Sequence, residues 1–177
     1  MHFLAIPAVA VIRLLLPLTI LRFPFWGVIL AMAADASDII IVEALGAEFG
    51  SAARYHAFDK WFDLYYLALA LWMSWQWPEA MARRTATALF GWRLGGVIVF
   101  EMTGLRQVIF FAPNIFENFY LLVAGGKQFF PKFRLDSPKK LAAFLIIAAI
   151  PKIIQEYVMH YLEFSTWSFI KHTILRW

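Results

Sequence analysis

Long apolar stretches separated by short polar breaks constrain this chain more than any other feature. A helix needs about 20 apolar residues to cross the hydrocarbon core of a bilayer, and the sequence has about six runs near that length. They are Leu4–Leu21, Phe25–Leu45, Trp61–Trp77, Thr85–Gly104, Gln107–Gly126 and Leu141–Phe164. The runs predict an all-α fold: a multi-pass integral membrane protein, with a bundle of about six transmembrane helices forming a single domain over residues 1–177.

Composition agrees with a lipid environment. Hydrophobic residues make up 62% of the chain and charged residues only 16%, whereas a soluble domain carries about 25% charged residues. The chain has no cysteine, which excludes disulfide scaffolds and thiolate metal sites. Its basic residues are spread between the apolar runs, and the segment 127–140 mixes them with phenylalanine. We therefore expect membrane lipids as partners, through their headgroups, and no nucleic acid.

Carboxylates inside the second and third runs are the first functional candidates, because a charge at the centre of a membrane helix costs about 2.5–3.5 kcal/mol on an insertion scale. Asp35 and Asp38 have an i,i+3 spacing and Asp59 and Asp63 an i,i+4 spacing, so each pair lies on one helical face. In an antiparallel hairpin the four carboxylates would converge. Such a cluster suits a hard divalent cation such as Mg²⁺ or Mn²⁺.

Each of these aspartates also has a purely structural interpretation. Asp59 could cap the N-terminus of the third helix, and Asp63 could complement its dipole. The pair in the second run could be neutralised by Arg13 or Arg93.

Two further groups of polar residues fall inside predicted spans. Lys152, Glu156 and His160 recur along one face of the last run, either as a self-neutralising ladder or as a proton or ion path.

In the fifth run Asn114 and Glu117 follow Pro113, which should open the helix and free backbone carbonyls for a ligand. Hydrogen bonding between helices is the alternative there. Gly91, Gly95 and Gly96 should permit close helix contact in the fourth run.

The first part of the chain resembles the CDP-alcohol phosphotransferases, membrane enzymes of six helices with a motif of the form DxxDGxxAR followed by GxxxDxxxD. The resemblance rests on Asp35-x-x-Asp38 late in the second run and Asp59-x-x-x-Asp63 at the start of the third, over roughly the first 70 residues. It implies that Asp35, Asp38 and Asp59 bind metal and that Asp63 binds metal or acts as the catalytic base.

The chain departs from that motif at the positions that receive the nucleotide. Ile39 and Tyr55 stand where the family has glycine, and Val42-Glu43 stands where it has Ala-Arg. Because the side chains of Ile39 and Tyr55 would fill the space that glycine leaves open, we expect no binding of CDP.

The predicted function is that of a divergent relative of this family, performing metal-dependent phosphotransfer on a phosphate-bearing lipid or headgroup. One alternative is a non-catalytic membrane subunit of a larger complex or a homo-oligomer. Another is a small transporter coupled to ions or protons through the face of the last helix.

Overall fold

The computed structural model describes residues 5–44, 52–105 and 107–158, with side chains in those ranges except at 5–6, 38–44, 52–59 and 156. The described residues contain helices and no strand, which confirms the all-α class. The helices are α1 (Ala5–Leu15, continued by a 3-10 segment, Leu16–Leu21), α2 (Pro24–Ala44), α3 (Ala52–Ser74), α4 (Ala80–Thr103), α5 (Gln107–Phe111), α6 (Ile115–Phe129) and α7 (Pro138–Glu156).

Local sequence explains where several helices change or end. Pro17 has no N–H to donate, and the chain tightens there from α-helix to the 3-10 segment. α4 ends at Gly104, whose φ of 69° is left-handed. Pro113 separates α5 from α6, as predicted, and Asn114 then caps α6 by accepting from the backbone N–H of Glu117. The side chain of Ser137 caps α7 in the same way.

The start of α3 differs from the sequence expectation. The polar stretch 46–60 is predicted as a break, yet the structure is helical from Ala52 onward. Residues 52–60 mix polar side chains with alanine and include no proline or glycine, so nothing in their backbone chemistry opposes a helix. The polar residues before Trp61 therefore limit the apolar run but not the helix, which begins at Ala52.

The core is arranged around α6. Phe116, Phe119 and Tyr120 are completely buried in it, and the ring of Trp77 stacks on Tyr120 with 5.4 Å between centroids. Residues from α2, α3, α4 and α7 complete the same apolar cluster. α6 therefore contacts several helices at once, and Glu117 in its first turn lies in the interior.

Gly27 allows α2 to lie directly on the 3-10 segment. A Cβ at this position would come within 2.4 Å of the backbone nitrogen of Ile20. The close approach fixes the first hairpin, and with it the relative positions of α1 and α2.

The surface of the described region is rich in large apolar side chains. Trp61 and Trp92 are 70% and 61% exposed, and many leucines and isoleucines are exposed on α1, α4 and α7. By length and composition, one described helical segment, Gln107–Phe129, is apolar enough to cross a membrane. Pro7–Leu21 and Pro24–Ser37 are the apolar helical stretches of 10–17 residues within the part of the chain whose side chains are described. The prediction of about six spans therefore stays a prediction.

Candidate functional site, a charged layer inside the bundle

Charged side chains meet in the interior of the bundle, at the last turn of α1 and about midway along α2 and α3. Arg13 on α1 is only 3% exposed and donates to the carboxylates of Asp35 on α2 and Asp63 on α3. The Arg13–Asp63 distance is 3.1 Å. The guanidinium also lies over the ring of Phe62, 5.3 Å from its centroid. One buried cation thus joins three helices, and each carboxylate retains partial exposure.

The structure brings together two of the four aspartates that the sequence singles out. Asp35 and Asp63 share the guanidinium of Arg13. Arg13 is one of the two arginines that the sequence offers to neutralise the aspartates of the second run. Asp38 and Asp59 belong to α2 and α3, but their side chains lie outside the described ones. Among the described residues no group of three or more acidic or histidine side chains is arranged to hold a metal ion. Of the four carboxylates predicted to converge, the structure describes two, those of Asp35 and Asp63, and places both at Arg13.

A second buried ion pair lies where α6 meets α7. The Lys152 ammonium is 3.1 Å from the Glu117 carboxylate, and the Asn114 amide donates to the same carboxylate oxygen at 2.6 Å. All three residues are at least nine-tenths buried. The break at Pro113 places Asn114 and Glu117 at the first turn of α6, where they face Lys152. Glu117 thus takes part in hydrogen bonding between helices, which is the alternative given above for Asn114 and Glu117.

Tyr66 on α3 lies near the carboxylates of both ion pairs and is 4% exposed. Sequence reasoning missed this residue. The available signal was its spacing, since Tyr66 follows Asp63 by three residues and so faces the same side of α3. We call the set formed by Arg13, Asp35, Asp63, Tyr66, Asn114, Glu117 and Lys152 the central charged layer.

The backbone carbonyls near Pro113 are bound by side chains of α4. Arg93, which is buried, donates to the carbonyl of Ala112 at 3.0 Å, and Trp92 donates to the carbonyl of Phe111 at 3.1 Å. The predicted opening of the helix is present. The carbonyls of Phe111 and Ala112 accept hydrogen bonds from α4, and these bonds join α4 to the α5–α6 break.

The predicted ladder along the last helix is represented by Lys152 alone. Its described ionic partner is Glu117, which belongs to α6 and not to the last helix. The side chain of Glu156 and the whole of His160 lie outside the described part of the chain.

The chain matches no model of a known protein family, and no curated protein or solved structure matches it either. We therefore infer a function from the buried charged residues described above.

Proposed function

We propose that this chain is a multi-pass integral membrane protein that carries out divalent-metal-dependent phosphotransfer on a phosphate-bearing lipid or headgroup, as a divergent relative of the CDP-alcohol phosphotransferases. The observation that carries the proposal is the meeting of Asp35 and Asp63 at one guanidinium. These side chains come from different helices, and both stand at positions to which the resemblance gives metal or proton chemistry. Their convergence is what such a site requires.

The distribution of polarity supports the membrane part of the proposal. Charged groups such as Arg13, Glu117 and Lys152 are buried inside the described bundle, whereas bulky apolar side chains cover much of its outside. A protein in water has the reverse preference, and charges inside membrane bundles face one another. Several helices fall short of an uninterrupted apolar span because they contribute charges to the interior, as α3 does with Asp63 and α4 with Arg93.

The carboxylates have the chemistry that a hard cation selects. Asp35 offers oxygen ligands, and we assign Asp38 and Asp59 to the same ion. A bound Mg²⁺ or Mn²⁺ would neutralise the charge of a phosphate and orient it.

The chain's own residues supply the remaining functions. In this proposal the Asp63 carboxylate accepts the proton of the attacking hydroxyl, whose oxygen forms a new bond to phosphorus while the bond from phosphorus to the departing phosphoester oxygen breaks. Arg13, freed in part from the carboxylates, donates to phosphate oxygens, for which a guanidinium fork is well suited. The Glu117–Lys152 pair holds α6 and α7 together behind the site.

A second candidate is a non-catalytic membrane subunit, and the Arg13 contacts favour it. Arg13 already gives Asp35 and Asp63 a positive partner within the chain, so the pair can be stable without a metal. In this case the charged layer fixes the packing of α1, α2 and α3, and the exposed apolar faces bind lipids or another membrane protein.

Mn²⁺ binding by the purified protein in detergent distinguishes the two candidates. Electron paramagnetic resonance should show bound Mn²⁺ for the wild type and binding at least about tenfold weaker for Asp35→Asn, because a ligand is lost. Asp136→Asn is the matched control, since Asp136 lies outside the layer and is half exposed. Equal, weak Mn²⁺ binding by all three proteins would favour the non-catalytic subunit.

Activity is tested in cells by complementation of a deletion strain. Asp63→Asn should lose function while it keeps its fold, because an amide has the same shape but cannot accept a proton. Full rescue by Asp63→Asn would exclude the catalytic role, and loss of function with Glu156→Gln alone would point to the transporter.

A further inference from the structure

One end of the bundle gathers three segments that are far apart in the chain. They are the segments 22–26, 74–84 and 127–140, where α2, α4 and α7 begin and α3 and α6 end. The ring of Phe129 packs edge to face against that of Phe25, with 5.1 Å between centroids. The Lys127 ammonium lies 2.6 Å from the Glu79 carboxylate. These contacts place the three segments side by side, and we call the surface that they form the basic end.

The basic end has a large excess of positive charge. Its segments carry eight basic residues and two acidic ones. Both acidic residues already pair within this end, Glu79 with Lys127 and Asp136 with Lys140. The other six basic residues form no ion pair with any residue that the structure describes: Arg22, Arg83, Arg84, Lys132, Arg134 and Lys139. All of them except Arg83 are exposed, so their charge is available to a partner outside the chain.

Exposed aromatic rings lie among these charges. Phe23, Trp26, Phe129 and Phe130 are each at least half exposed. Trp26 and Phe129 come from different segments and touch, with 6.2 Å between ring centroids. Aromatic rings beside basic side chains are typical of the level where lipid headgroups meet acyl chains.

The apolar sides of the bundle begin directly beside the basic end. Leu21 precedes Arg22 and is 45% exposed. On α7, Ile146 and Ile147 are more than half exposed and follow Lys140 by about 9 Å along the helix axis, at about 1.5 Å per residue. Hydrocarbon that covers these side chains would bring the lipid phosphates to the level of the basic residues.

A negatively charged lipid surface matches both features of the basic end. Its phosphates complement the lysines and arginines, and its glycerol and upper acyl region covers the rings. A nucleic acid or an acidic soluble protein would match the charge but would leave the adjoining apolar sides exposed to water.

We infer that the basic end binds the headgroups of anionic phospholipids, with phosphate oxygens accepting from Lys132, Arg134 and Lys139. The inference rests on the membrane part of the proposed function. It does not rest on phosphotransfer, since the basic end and the Asp35–Asp63 pair are formed by different residues.

Native mass spectrometry of the purified full chain in neutral detergent tests the inference on the wild type. Phosphatidylglycerol and phosphatidylcholine with identical acyl chains differ in net charge, and EDTA removes any lipid binding that depends on a metal ion. Phosphatidylglycerol should bind at least about fivefold more tightly, because each basic residue near an anionic lipid surface contributes to binding. The preference should shrink as the concentration of ammonium acetate rises, because salt screens exposed charges.

Three outcomes would overturn the inference. Equal binding of the two lipids would show that charge is not recognised. Soluble glycerophosphoglycerol that binds as tightly as phosphatidylglycerol would remove the membrane from the assignment. An oligonucleotide that binds more tightly than phosphatidylglycerol at the same salt concentration would assign the surface to nucleic acid.

Two triple variants locate the surface. Neutralisation by Lys132→Gln, Arg134→Gln and Lys139→Gln should remove most of the preference for phosphatidylglycerol. The matched control changes the same positions but keeps their charge, by Lys132→Arg, Arg134→Lys and Lys139→Arg, and should retain the preference. All three side chains are exposed, so both proteins should fold, which the melting temperature checks.

A preference that is unchanged in the neutralised protein would exclude the basic end. The salt series on the wild type decides if that protein does not fold. A chain that binds neither lipid would contradict the membrane part of the proposed function together with the inference. Loss of Mn²⁺ binding or of phosphotransfer would contradict the proposed function alone.

Discussion

The ammonium of Lys152 on α7 lies 3.1 Å from the carboxylate of Glu117 on α6, inside the bundle. Each group is the other's described ion-pair partner, and the Asn114 amide donates to the same carboxylate. Neither helix alone would present a neutral interior face. The pair therefore makes the docking of α7 depend on a specific residue of α6.

Removing one partner of this pair should be more harmful than removing both. Lys152→Met leaves Glu117 buried without its cation, and we expect a loss of about 3–5 kcal/mol in the free energy of unfolding. The double variant Lys152→Met with Glu117→Gln should recover part of that loss, because no buried charge remains. Thermal unfolding in detergent measures both. Lys140→Met, at the exposed pair with Asp136, should cost no more than about 0.5–1 kcal/mol. Equal losses in all three would contradict the role of the pair.

Arg13 should be replaceable in part by a metal ion if the acidic pair is a cation site. Arg13→Met removes the partner of Asp35 and Asp63, and we expect destabilisation toward the lower end of about 3–5 kcal/mol because both carboxylates keep some exposure. Added Mn²⁺ should then raise the melting temperature more for Arg13→Met than for the wild type. A variant that Mn²⁺ does not stabilise would argue for a structural layer only. Arg13→Lys is the control for charge without the guanidinium fork.

CDP should not stabilise the protein. In the motif of the CDP-alcohol phosphotransferases, Ile39 and Tyr55 stand at glycine positions and Glu43 at the arginine position. The two side chains fill space that the nucleotide would need, and the arginine is lost. At millimolar CDP with Mg²⁺ we expect an unchanged melting temperature. A clear rise would overturn this expectation and would make the ordinary reaction of that family the better assignment.

Gly96 and Gly95 should respond differently to the same substitution. A Cβ at Gly96 would lie 2.1 Å from the Cβ of Ala112, so Gly96→Ala must push α4 from the α5–α6 break and should cost about 1–3 kcal/mol. Gly95 has open space within 4 Å of the position of a Cβ. Gly95→Ala should therefore be neutral or stabilising by up to about 1 kcal/mol, from helix propensity. Similar melting temperatures for the two variants would contradict this packing.

The same comparison shows how far a motif in the sequence can be interpreted. The spacing of Gly91 and Gly95 is typical of close helix contact, yet a Cβ at either position would meet nothing within 4 Å. It is the neighbouring Gly96 that touches another helix. Helix periodicity determines which residues share a face, but the neighbour that the face meets is a property of the whole bundle.

The sequence by itself determined the helical class, the break at Pro113 and the shared faces of the aspartate pairs, because these depend on backbone chemistry within a few residues. Tertiary structure decided that Arg13 lies between Asp35 and Asp63 and that Lys152 pairs with Glu117. Those contacts join residues far apart in the chain, and a buried charge takes whichever opposite charge the packing of the helices brings within reach.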